Sequence, residues 1–130
     1  NGAIATMIMS FDVWSHSLSC IEIYGTEGSI AVPDPNGFGG DVRVSRGYNG
    51  WQTVPHAFAN AENSRGIGVL DMAVGIREGR PHRASGELGY HVLDVMTSIE
   101  ESATTGKALE LASTCDQPAP MVMGMMSGVV

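Results

Sequence analysis

The feature that most constrains this chain is a run of apolar residues at helical spacing, broken once, over residues 65–107. Val69, Met72, Ala73 and Ile76 recur on one stripe while Asp71, Arg77 and Glu78 fall off it, which predicts an amphipathic helix. Gly79 can adopt the left-handed conformation that closes a helix, and Pro81 forbids its continuation. Ser85 then offers a hydroxyl to the free N–H groups of a second helix, with Glu87 near its positive end. Leu88, Val92, Val95, Met96, Ile99 and Ala103 share one face for about five turns, until Gly106 ends the run. Two apolar stripes of this length need a surface to rest on.

That surface is expected from the residues before them. Residues 3–11 (AIATMIMSF) are rich in Ile, Met and Thr on both alternating faces, as in a strand buried on both sides or covered by a partner. Residues 12–17 (DVWSHS) break the pattern as a loop. Residues 18–24 form a second strand, with Ile21 and Ile23 on one face and Cys20, Glu22 and Tyr24 on the other. Gly25-Thr26-Glu27-Gly28 then signals a hairpin with residues 29–32. Residues 33–40 hold two prolines and three glycines and should be neither helix nor ladder. Residues 41–46 alternate, Asn49-Gly50 supplies a turn, and residues 51–54 return. About five strands precede the helices, residues 108–111 could add a short last one, and residues 116–130 read as a tail.

Strands first and helices after predict an α+β domain over residues 1–115: a mainly antiparallel open sheet with two helices packed on one face. The other face would then show Met7, Met9 and Phe11, or Ile4 and Ile8, as an apolar patch larger than monomers carry. A second copy of the same sheet, giving a homodimer or higher homo-oligomer, is the simplest cover.

Composition narrows the partners. Seven Lys+Arg against 14 Asp+Glu give a net charge of −7, with no basic run to neutralise phosphates, so nucleic acid is not expected. No apolar run reaches the roughly 20 residues that would span a bilayer. Cys20 and Cys115 stand far apart without metal-ligand spacing, which fits a reducing, cytoplasmic setting and no zinc site. Asn1 is no natural initiator and strand pattern begins at once, so the chain reads as a piece of something longer.

Three strings, IEIYGTEGSIAVPDPN from Ile21, DMAVGIREGRPHRASGE from Asp71 and IEESATTGKALEL from Ile99, resemble the C-terminal domain of the Gfo/Idh/MocA oxidoreductases. The specific parts are the hairpin YGTEGS (24–29), the helix end IREGRP (76–81) and the helix exit ESATTGK (101–107). The resemblance covers about residues 2–120. It implies a parent enzyme whose separate Rossmann domain binds NAD or NADP and whose C-terminal open sheet walls the substrate cleft and forms the dimer. Its substrate would be a sugar, polyol or related hydroxy compound.

The family's lysine at the nicotinamide, in a Glu-Lys-Pro motif, and its Asp and His on a helix before the strand matching residues 3–11 are not in this chain, so it has no catalytic residue to offer. Nor has it cofactor-binding residues: Gly66-Ile67-Gly68-Val69-Leu70-Asp71 lacks a feeding strand, and Asp71 would repel a pyrophosphate. Substrate contact is expected of Trp14, whose ring could stack on sugar C–H groups, and His16, whose imidazole could bond a hydroxyl. Each has a plainer reading, as a sheet-edge cap and an exposed histidine. His91 reads as structural, His56 and His82 as solvated, and Arg65, Arg80 and Arg83 as paired with nearby carboxylates or carbonyls. Glu100 and Glu101 point to different sides of a helix and form no acid/base pair. In the glycine-rich loop, residues 34–40, a phosphate cradle through bare N–H groups is conceivable but lacks any Lys or Arg. The alternatives are a non-catalytic oligomerisation platform and a freestanding small-ligand binding domain.

Overall fold

The computed structural model describes residues 2–130. Among them are four strands, β1 (Ile21–Gly25), β2 (Gly28–Val32), β3 (Val42–Ser45) and β4 (Gln52–Val54), followed by two helices, α1 (Ile67–Glu78) and α2 (Gly86–Thr105). The strands form one open antiparallel sheet in the order β1-β2-β3-β4. The class is α+β, as the order of elements along the chain predicted.

Local chemistry explains the boundaries. Thr26 and Glu27 form the two-residue connection between β1 and β2, whose register pairs Gly25 with Gly28 and Ile23 with Ile30. A Cβ on Gly28 would stand 2.5 Å from the Ser45 carbonyl oxygen, so the approach of β3 requires glycine there. Ser85 accepts from the Leu88 N–H through Oγ at 3.2 Å, which caps α2. Gly79 and Gly106 close the helices with φ of 68° and 67°.

Three expectations are corrected. Residues 3–11 form no strand: they are exposed along their length, with Ile4 at 95% and Phe11 at 102%. A segment apolar on both faces gains from a ladder only when both faces are covered, and no strand of the described residues lies beside this one. Without residues 3–11, four strands rather than five precede the helices, and residues 108–111 add no strand after them. The segment expected to be irregular holds a 3₁₀ turn, Pro35–Gly37, because Asp34 Oδ1 accepts from the Asn36 N–H at 2.9 Å and Pro35 presets the first φ.

The pairing puts Ile21, Ile23, Ile30, Val32, Val42, Val44 and Val54 on one face of the sheet and Glu22, Tyr24, Ala31, Arg43 and Thr53 on the other. The apolar face stays partly open, with Ile21, Ile23 and Ile30 all exposed. So do the helical stripes: Val69, Ile76, Val92, Met96 and Ile99 are exposed as well. The extensive contacts between elements are those of neighbouring strands. Ala31 is the one buried hydrophobic residue among the described residues.

Candidate functional site

Trp14 and His16 lie on the irregular segment before β1, both exposed, with the Trp14 ring fully open to solvent. Among the described residues no hydrogen bond or ring contact joins either side chain to the sheet, and neither lines a cavity.

The best-built polar cluster lies elsewhere, at the break between the helices. Asp71, on α1, is 3% exposed and sits where the chain returns after Pro81. Its Oδ1 accepts from Arg80 Nη1 at 3.0 Å and Arg83 Nη1 at 2.6 Å, and its Oδ2 from the Arg83 N–H at 2.7 Å. Burial pushes this carboxyl's pKa up, but the Arg83 amide and the two guanidinium groups outweigh it and hold it below the usual carboxylate range. Arg83 also reaches the tail, donating through Nε to the Ala119 carbonyl at 3.0 Å and through Nη2 to that of Pro120 at 3.1 Å. One carboxylate thereby fixes the helix–helix turn and the tail together.

Beside this cluster is a cleft of about 660 Å³, lined by Arg80, His82, Arg83 and Glu87 on one side and by Asp116 and Gln117 of the tail on the other. Trp14 and His16 do not line it. Its charges are of both signs: Arg80 and Arg83 bond Asp71, which lies outside the lining, and Arg80 Nη2 is buried with no hydrogen-bond partner among the described residues. Glu87 already places its own carboxylate at the start of α2, where its own N–H and Ser85 hold its pKa down.

A second cluster joins α2 to the tail. Ser113, 8% exposed, donates from its amide to Asp94 Oδ2 at 2.9 Å and from Oγ to the same oxygen at 2.7 Å. His91 Nδ1 lies 2.9 Å from Ser113 Oγ. Serine, histidine and aspartate together suggest nucleophilic catalysis, but the order of bonds is wrong for it. The serine proton goes to Asp94, so His91 must donate to Oγ and cannot act as its base. Asp94's pKa is lowered, first by the Ser113 hydroxyl and then by its amide. This is a strap holding the tail, with His91 in the structural role its position predicted.

Sequence reasoning anticipated that Arg80 and Arg83 would pair locally and missed the partner. Asp71 was visible only as a residue off the apolar stripe, and a polar position on an amphipathic helix carries no sign of being buried by a chain returning 12 residues later. Among the described residues no group of three or more His, Cys, Asp or Glu side chains could hold a metal ion. No helix is long and apolar enough to cross a membrane. No protein-family model, curated protein or solved structure matches the chain.

Proposed function

We propose that this chain is the substrate-cleft and oligomerisation domain of an NAD(P)-dependent oxidoreductase of the Gfo/Idh/MocA kind, acting on a sugar, polyol or related hydroxy compound. Besides the resemblance of its three strings, one observation supports the reading. A folded monomer of 13.7 kDa should expose about 6,600 Å². This chain exposes 10901 Å², an excess of about 4,300 Å². One partner's share of even a large obligate interface is about 2,500 Å², so the excess calls for more than one cover. A second copy on the sheet and a nucleotide-binding domain on another surface would supply two.

In this reading the chain brings no cofactor ligand and no catalytic group. Trp14 would lay its ring against the C–H face of the substrate, and His16 would bond a hydroxyl, once a neighbouring domain closes the cleft over them. The nicotinamide would be held by the other domain, in a cytoplasmic enzyme.

The test is hydride transfer by the whole protein, followed by nicotinamide absorbance across a panel of sugars and polyols. Trp14→Ala and His16→Ala should raise KM for the preferred substrate about tenfold with a smaller effect on kcat. Self-association without nucleotide binding would replace this proposal with a non-catalytic platform.

A further inference from the structure

At one end of the sheet, where β2 leaves, β3 begins and β4 leaves, the chain borders an open cleft of about 460 Å³, with Asp34, His56 and Phe58 exposed along it. Its walls are built with close tolerances. A Cβ on Gly39 would stand 2.0 Å from the Ala61 carbonyl oxygen, so the 33–40 loop can meet the 57–61 segment only through glycine. His56 Nε2 lies 2.7 Å from the Gly40 carbonyl oxygen and ties the same two walls. Phe38 holds a left-handed φ of 65°, a conformation a bulky residue adopts only when its surroundings impose it.

The lining is apolar apart from two groups. Phe38 and Phe58 contribute rings, prolines and alanines fill in between, Asp34 is the one acidic residue, and no Lys or Arg lines the cleft. Asp34 Oδ1 is engaged by Asn36, whereas Oδ2 accepts from no described residue. Arg65 does not line the cleft. Its guanidinium lies 5.5 Å from the Phe38 ring and bonds Asn36. Aromatic faces and a free carboxylate oxygen, in a chain of net charge −7, complement a positive ligand with an apolar body.

We propose that this cleft binds a small organic ammonium ion of the arylmethyl- or alkylammonium class, with its charge on Asp34 and its apolar body between Phe38 and Phe58. The site is separate from Trp14 and His16 and does not rest on the oxidoreductase reading.

Three probes of one shape test it by calorimetry at pH 7: benzylammonium, benzyl alcohol and benzoate. Benzylammonium should bind saturably at one site per chain, about tenfold more tightly than the alcohol, and benzoate should not bind. Asp34→Asn keeps an acceptor for the Asn36 N–H, so the 3₁₀ turn stays capped while the charge is removed. It should abolish the preference for ammonium over alcohol at an unchanged thermal midpoint. Phe58→Leu keeps an apolar wall and should weaken benzylammonium about threefold or more. Equal binding of ammonium and alcohol, several weak sites per chain, or a preference that survives Asp34→Asn would overturn the proposal. If Asp34→Asn disturbs the fold, undiminished ammonium binding by Phe58→Leu overturns it in the same way.

Discussion

Asp71 ties the helix–helix turn together, because three donors from the returning chain converge on its two oxygens. Asp71→Ala leaves two guanidinium groups without their carboxylate, and we expect it to cost roughly 2–4 kcal/mol in chemical denaturation. Its carboxyl titrates below its ordinary value of 3.8. A depressed pKa means that the bonds stabilise the fold fully above the unfolded-state value and lose that effect as pH falls through the folded-state value. Acid titration of the wild type should therefore show a loss of stability below about pH 4 that Asp71→Asn largely lacks. Asp94, lowered by Ser113, acts over the same acidic window but anchors only the tail. Ser113→Ala should thus release the tail, seen as faster amide exchange over residues 112–120, with α2 unaffected.

At the scale of elements, what was legible in the sequence was whatever short-range chemistry decides. Ser85, Gly79, Pro81 and Gly106 mark the helix ends because capping acts over three or four residues, and Gly25 and Gly28 mark the hairpin for the same reason. Ser85→Ala should cost about 1 kcal/mol of stability by removing the bond to Leu88 N–H. Residues 3–11 were not legible in this way. Their composition says strand, but a strand exists only with a neighbour to pair with, and that depends on long-range contacts or a second molecule. The cleft around Asp34 and His56 was hidden for a related reason: these residues are 22 apart in the chain, and a glycine-rich loop looks alike whether it crosses solvent or walls a cleft. Trp14 and His16 stood out as residue types suited to a sugar, and the structure leaves them at the surface on an irregular segment.

For the molecule as a whole, the governing fact is how little is covered. One apolar residue is buried among the described residues, while the sheet's Ile21, Ile23 and Ile30 and the helices' Val69, Ile76 and Met96 face outward. Burying apolar surface is worth about 25 cal/mol per Å², so leaving these side chains in water forfeits part of the drive to fold. We therefore propose that association completes the fold. Light-scattering mass across a concentration series, on the chain itself, tests this most directly. We predict a dimer or larger species at micromolar concentration, with a thermal midpoint that rises with concentration. A monomer at every concentration, unfolding cooperatively at a fixed midpoint, would contradict it.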